Sequence, residues 1–169
     1  MTAAPYPRIV VDTNIFAPAI RATHKVPPIR TAGAGLLEAW RRRWCTLVVS
    51  PELLAEYLDV LQREEFRLSY KEAARVCRWI ARTAVVVSPP ASQPLLTLDP
   101  GDDIVLKTAI EGGADFLVTD NTRHFAEISK LKGGTPGPRY RGVTVVGLSR
   151  VLDAIRATHA QARTTLPRR

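Results

Sequence analysis

The chain has 169 residues, of which 46% are hydrophobic and 24% are charged, a composition typical of a globular domain that can bury a core. No apolar stretch approaches the about 20 residues that cross a bilayer, and the N-terminus lacks the layout of a secretory signal, so we expect a cytoplasmic protein without a membrane partner. The net charge of +8 and the pI near 10.1 attract polyanions, which favours a nucleic-acid partner modestly.

Short apolar runs begin and end the first predicted unit. Residues 8–11 predict a buried strand that ends at Asp12, and residues 46–49 predict a second one. Between them, the polar and proline-broken residues 21–33 predict a loop, and residues 34–44 have the periodicity of a helix. The pattern is therefore a strand, a helix and a second strand.

The middle of the chain contains two helices with clear N-terminal signals. Ser50-Pro51 opens a helix that extends to about residue 62, because serine is a good N-cap and proline suits the first helical position. The Ser69–Glu72 spacing of a capping box opens another. Residues 85–87 predict a third strand, and the proline-rich residues 88–98 predict a loop.

The last part of the chain repeats the alternation. A helix begins at Asp99-Pro100, a strand covers 116–119, a Gly/Pro-rich connection covers 133–142, a strand covers 143–146, and a final helix covers 149–159. Alternating strands and helices predict an α/β fold, in which a central, mostly parallel sheet of four to five strands is covered on both faces. We expect one domain over residues 1–160 and a basic, disordered tail over residues 161–169.

Polar residues follow two of the predicted strands. Asp12 closes the first strand, and Asp120 and Asn121 close the fourth. Because parallel strands bring their carboxyl ends to one edge of the sheet, these side chains are expected to meet there. The alternative for each is ordinary turn chemistry, in which the side chain caps the next helix or bonds to its own backbone.

Glu56 lies at the border of the apolar face of the helix 50–62, beside Val60, whereas Glu52 and Asp59 lie opposite that face. Its carboxylate can therefore lean over the sheet edge. The alternative is a boundary glutamate that pairs with a surface base.

Asp102 continues the apolar stripe of the helix that begins near Asp99. Val105, Leu106 and Ala109 follow it at the third, fourth and seventh positions, so its charge points into the packed face. Such a charge is costly unless it is paired, hydrogen-bonded or bound to metal. The alternative is a capped helix start, with Asp99 as the N-cap and Asp102 reaching back to the backbone.

Several carboxylates at one edge of a basic protein repel one another unless a cation lies among them. Oxygen ligands without His or Cys partners suit Mg²⁺ or Mn²⁺. A divalent ion in an acidic pocket within a positive field fits hydrolysis of a phosphodiester, so the residues predict a metal-dependent nuclease.

The sequence resembles the PIN-domain nucleases over about residues 8–150, and it is similar to their VapC-like branch, the toxins of toxin–antitoxin systems. Four segments carry the resemblance: VVDTNIF (10–16), SPELLAEYLDVL (50–61), LDPGDDIVLKTA (98–109) and ADFLVTDNTRHF (114–125). Each motif is loose, but their order and spacing are specific. The resemblance implies a three-layer α/β/α fold.

The resemblance also assigns residues. Asp12 matches the first metal-binding acid, and Asn14 matches the asparagine that often accompanies it. Glu56 matches the helix glutamate, Asp102 the acid seven residues before a helix alanine, and Thr119 the hydroxyl residue that ends the fourth strand.

Asn121 is a departure, because its position is commonly Asp in the family. Its neutral amide oxygen would hold a second metal less tightly than a carboxylate, and the neighbouring Asp120 is the alternative. The resemblance therefore implies one or two Mg or Mn ions on Asp12, Glu56, Asp102 and Asn121.

The implied function is hydrolysis of RNA, with a cognate antitoxin that covers the site and a homodimeric assembly as partners. The expected phosphate contacts follow the first and fourth strands: Arg21, His24, Lys25, Arg30, Arg123, His124, Lys130 and Lys132. Asn121 leaves open an RNA- or antitoxin-binding module without catalysis. A phosphatase acting through Asp12 is a weaker alternative, because Asn14 stands where a second acid would be needed.

Overall fold

Six strands form one sheet in the computed structural model, which describes residues 6–25, 27–96, 99–131, 133–134 and 139–165. The strands are β1 (Arg8–Val11), β2 (Thr46–Val49), β3 (Val85–Val86), β4 (Phe116–Val118), β5 (Arg139–Tyr140) and β6 (Val143–Val146). Their order is β3-β2-β1-β4-β6-β5, and every neighbouring pair is parallel except β5 and β6.

The sixth strand corrects the prediction of four to five. β5 lies inside the predicted connection 133–142 and pairs with β6 as a hairpin, in which Tyr140 is opposite Val143. Its two-residue turn has positive φ at both Arg141 (47°) and Gly142 (87°), as primed hairpin turns require. Residues 135–138 of the connection lie outside the described residues.

Six α-helices and one 3-10 segment connect the strands. The helices are α1 (Thr13–His24), α2 (Ala32–Arg41), α3 (Pro51–Leu61), α4 (Tyr70–Thr83), α5 (Pro100–Glu111) and α6 (Leu148–Thr165), and the 3-10 segment covers Thr122–Lys130. The predicted caps are confirmed: the Ser50 side chain accepts from Leu53 N–H, and Ser69 and Glu72 form a capping box.

Two helices extend beyond their predicted limits. α1 continues to His24, so residues 21–24 of the predicted loop are helical, because its apolar face is buried. α6 reaches Thr165, so the predicted disordered tail is wrong for residues 161–165, where alanine and other good helix formers continue the last turn. Residues 166–169 lie outside the described part of the chain.

The sheet is covered on both faces, as predicted. Successive strand residues point to opposite faces, yet Ile9, Val10 and Val11 of β1 are all at most 3% exposed. α5 packs against β1, β2 and β4, and α1 packs against α2 and α3. This arrangement brings the start of α5 close to the carboxyl end of β1. Within the described residues, every helix is too short or too polar to cross a membrane.

Candidate active site

Asp12 lies at the carboxyl end of β1, next to the end of β4. Its backbone N–H donates to Val118 O at 2.9 Å, which joins the two strand ends. Its side chain is 7% exposed, and Oδ2 accepts a 2.7 Å hydrogen bond from the Thr119 hydroxyl. Asp12 is the N-cap residue of α1 but makes no capping hydrogen bond with its side chain, although the backbone N–H groups of Thr13 and Asn14 lie close to its carboxylate.

Burial raises the pKa of Asp12 above its ordinary value of 3.8. The Thr119 hydroxyl and the nearby backbone N–H groups of Asn14 and Thr13 oppose that shift, and the charge of Asp99 adds to it. The ionised form of Asp12 is therefore costly in the absence of a compensating positive charge.

Glu56 faces the same strand end from α3. The Thr13 hydroxyl donates to Glu56 Oε1 at 2.5 Å, whereas Oε2 is buried without a hydrogen-bond partner in the part of the chain that the structure describes. The neighbouring Tyr57 is fully buried, and its hydroxyl donates to the carbonyl oxygen of Val11. These contacts fix α3 to the end of β1, so Glu56 lies at the same edge of the sheet as Asp12.

Asp102 is 8% exposed in the first turn of α5. Its Oδ2 is buried and makes no hydrogen bond of good geometry with the described residues, although His124 Nδ1 lies 3.0 Å away. Burial raises the pKa of Asp102 to about 6, and the charges of Asp99 and Asp12 add to the shift, while His124 lowers it. Asp102 is therefore a buried carboxyl group crowded by other acids.

Asp103 is buried to a similar extent, but both of its carboxylate oxygens have partners. Its Oδ1 accepts from the backbone N–H groups of Leu95 and Leu96 at 2.6 and 3.0 Å, and its Oδ2 lies 2.9 Å from Lys107 Nζ. This residue ties the loop before α5 to the helix, so we assign it to structure.

Asp99 also lies at the candidate site, although the sequence predicted only a helix cap at this position. It does cap α5, since Oδ1 accepts from Gly101 N–H at 2.8 Å. One oxygen of Asp99, one of Asp102 and one ring nitrogen of His124 also lie within 4.8 Å of one another. The signal in the sequence was the spacing of three residues between Asp99 and Asp102, which places two acids on one side of a helix start.

Gly101 connects this group to Glu56. A Cβ atom added at Gly101 would lie 3.2 Å from Asp99 Oδ1 and 3.7 Å from Glu56 Oε2. The two carboxylates therefore approach the bare backbone at the start of α5 from different elements.

The residues after β4 divide into positioning groups and exposed groups. Thr119 is buried, and its hydroxyl accepts from Asn121 N–H at 3.0 Å and from Asn14 Nδ2 at 3.3 Å. Asp120 is exposed, and its backbone N–H lies 3.5 Å from Asn14 Oδ1. The Asn121 side chain contacts His124 Nε2 at 2.6 Å. Asn121 and Asp120 are thus near the site, but the tight group of ligand atoms consists of Asp99, Asp102 and His124.

The remaining predicted phosphate contacts are mostly on the surface. Arg21 is half-buried, and Lys132 lies outside the described residues. The exposed ones are His24, Lys25, Arg30, Arg123 and Lys130. His124 is exposed as well, and its Nδ1 lies 3.0 Å from Asp102 Oδ2.

The acidic residues fit a divalent cation. Two buried carboxylate oxygens, on Glu56 and Asp102, lack hydrogen-bond partners among the described residues, and the pKa values of Asp12 and Asp102 are raised. A cation bound by the group of Asp99, Asp102 and His124 would satisfy Asp102 and favour its ionisation, whereas Asp12 and Glu56 lie outside this group of mutually close ligand atoms in the described structure.

No curated protein sequence matches the chain. The structure of VapBC-1 from nontypeable Haemophilus influenzae is similar with a TM-score of 0.48 and 14% identity, over 84% of this chain and 98% of that one. The structure of VapBC2 from Rickettsia felis, bound to a DNA fragment from their promoter, is similar with a TM-score of 0.47 and 15% identity, over 83% of this chain and 98% of that one. The family model of the PIN domain matches residues 8–123, and the chain therefore belongs to the PIN-domain family.

Proposed function

We propose that this protein is a divalent-metal-dependent ribonuclease whose metal is held by Asp12, Glu56 and Asp102, with Asp99 as an additional ligand. PIN domains are generally nucleases. The observation that carries the proposal is a pair of buried carboxylate oxygens: Glu56 Oε2, which has no hydrogen-bond partner among the described residues, and Asp102 Oδ2, whose close contact is His124 Nδ1 at 3.0 Å. Such burial is costly unless a ligand binds there.

Other residues hold these carboxylates in place. Thr119 positions Asp12 from the neighbouring strand, and Thr13 positions Glu56 from the start of α1. Asn14 and the backbone of Asn121 in turn contact the Thr119 hydroxyl. Such supporting contacts keep a set of ligands in the required arrangement before the ion binds.

The bound ion would neutralise the charge of a scissile phosphate and make a water molecule more acidic. The oxygen donors suit Mg²⁺ or Mn²⁺. The exposed cations Arg30, Arg123 and Lys130 would contact neighbouring phosphates of the strand, and the net charge of +8 would accelerate its capture.

We propose RNA as the substrate and a toxin–antitoxin pair as the setting. The support is the order and spacing of the four motifs that resemble the VapC-like toxins. A cognate antitoxin, a homodimer and a cytoplasmic location follow from the same resemblance as predictions.

A second candidate is a PIN module that binds RNA or an antitoxin without cleavage. The neutral Asn121, which contacts His124 and supplies no charge to the site, favours it. The two candidates differ in one measurable property, which is metal-dependent cleavage.

The test is cleavage of a fluorescently labelled single-stranded RNA in Mn²⁺, in Mg²⁺ and in excess chelator. We expect cleavage only with metal, and about a hundredfold or greater loss in Asp102→Asn and Asp12→Asn, because removal of a metal ligand removes the ion's contribution. Asp59→Asn is the matched control, since Asp59 is an exposed acid on α3 that pairs with Arg63. Cleavage by Asp102→Asn at the rate of Asp59→Asn would contradict the proposal, and RNA binding without cleavage by the unaltered protein would favour the second candidate.

A further inference from the structure

An imidazole lies among the carboxylates of the proposed metal site. His124, at the start of the 3-10 segment, places a ring nitrogen within 4.8 Å of ligand oxygens of Asp99 and Asp102, and its Nδ1 is 3.0 Å from Asp102 Oδ2. The sequence predicted only oxygen ligands there. A nitrogen donor changes the ions that such a site prefers.

Asp102 supplies independent evidence that this group holds a ligand. Its side chain is 8% exposed, and the Oδ2 atom that faces His124 is buried without a hydrogen bond to the described residues. Asp103, one residue away, satisfies both of its oxygens with two backbone N–H groups and Lys107. The unsatisfied oxygen of Asp102 therefore distinguishes this group from an ordinary surface cluster of acids.

Asn121 holds the other side of the ring. The Asn121 side-chain amide is 2.6 Å from His124 Nε2. A neutral amide contains both a donor and an acceptor, and a half-turn of its terminal group exchanges them. When the amide oxygen faces Nε2–H, the ring has its lone pair on Nδ1, which is the nitrogen that faces Asp102. A histidine ligand in metalloproteins is commonly oriented in this way by a hydrogen bond to its second nitrogen.

We propose that His124 binds the metal through Nδ1, together with Asp99 and Asp102, and that Asn121 orients its ring for this purpose. The proposal rests on the proposed function only for the presence of a divalent ion at these carboxylates. It predicts that a first-row transition ion binds here in preference to Mg²⁺, because imidazole suits the later ions of that row, such as Co²⁺, whereas Mg²⁺ prefers oxygen. Mn²⁺, which also takes oxygen ligands, should gain less from the imidazole than Co²⁺ does. It also gives the departure at Asn121 a role.

The direct test is pulsed electron paramagnetic resonance on the purified full chain loaded with Mn²⁺, in which a bound imidazole nitrogen modulates the electron spin echo. We expect nitrogen modulation in the unaltered protein and its loss in His124→Ala. His24→Ala is the matched control and should retain the signal, because His24 lies at the end of α1 and contacts Ile20 O. Calorimetric titration should show Mn²⁺ binding weakened about tenfold or more in His124→Ala, with Mg²⁺ binding changed less.

Absence of nitrogen modulation in the Mn²⁺-loaded, unaltered protein would overturn the inference, and so would modulation that persists in His124→Ala. In the first case RNA cleavage with metal would leave the proposed function standing, and the close contact of His124 with Asp102 would be an ion pair. Nitrogen modulation without RNA cleavage would support the inference and contradict the ribonuclease. Failure to bind Mn²⁺ at all would overturn the inference and remove the metal from the proposed function.

Discussion

Asp102 and Asp103 are consecutive residues in the first turn of α5, with exposures of 8% and 7%, but they face different regions of the molecule. Asp103 faces the loop before the helix, where Leu95 N–H, Leu96 N–H and Lys107 satisfy its oxygens. Asp102 faces Asp12 and Asp99, whose charges oppose its ionisation, and its Oδ2 lacks a hydrogen bond within the described structure. Equal burial therefore conceals a difference between the two carboxylates, which differ in how many of their oxygens have partners among the described residues.

The largest expected effect on stability comes from replacement of Asp103. Asp103→Ala would leave the N–H groups of Leu95 and Leu96 without their acceptor and Lys107 without its partner, which we expect to lower the free energy of unfolding by about 3 kcal/mol. Urea denaturation followed by circular dichroism measures the change. A loss below about 0.5 kcal/mol, within the range of ordinary surface substitutions, would contradict the structural assignment of Asp103.

Asp102→Asn should change stability in the opposite direction. The substitution keeps the shape of the side chain but removes a charge whose ionisation is penalised by burial and by neighbouring acids, so we expect the metal-free protein to gain about 2 kcal/mol at pH 8. The same variant should lose cleavage activity. A destabilised Asp102→Asn would mean that the ionised carboxylate is needed by the fold, and the contrast with Asp103 would then disappear.

The pH dependence of stability tests the same comparison, because the gain expected for Asp102→Asn should accumulate within one pH window. Because the pKa of Asp102 is raised from 3.8 to about 6 in the folded state, the folded protein binds more protons than the unfolded chain between those values. This residue therefore lowers the free energy of unfolding as pH rises from about 4 to 6. The stability difference between Asp102→Asn and the unaltered protein should grow over this window in chelator and be small below it. A constant difference across the window would contradict the raised pKa.

The sequence predicted the parts of the site that conflict with their surroundings. Asp12 follows three apolar residues, and Asp102 continues an apolar stripe, so each pattern indicates a buried charge. Asp99 was not predicted to be a ligand, because helix capping already accounts for an aspartate before Pro100. In the structure it caps α5 and also belongs to the group of close ligand atoms. His124 was predicted to contact phosphate because its approach to Asp102 depends on tertiary packing, which no local pattern of the sequence indicates.

The elements of the fold also differ in how well the sequence predicts them. The parallel strands follow from strongly apolar runs, such as residues 46–49, whose pattern is unambiguous. β5 was not predicted because it has two residues, Arg139 and Tyr140, which pair with β6 only because a tight turn brings them alongside it. The end of α1 was missed because the sequence at residues 21–24 is polar, and the packing of the preceding apolar face extends the helix.

The absent side chain at Gly101 sets a limit on how this family member can vary. An alanine there would place a methyl group 3.2 Å from Asp99 Oδ1, which is tight enough to make that carboxylate move by a few tenths of an ångström, and 3.7 Å from Glu56 Oε2, which is ordinary contact. The bare backbone at Gly101 thus leaves room for the Asp99 carboxylate in its present position. Position 101 is for that reason a place where ion size could be tuned without replacing any acidic residue.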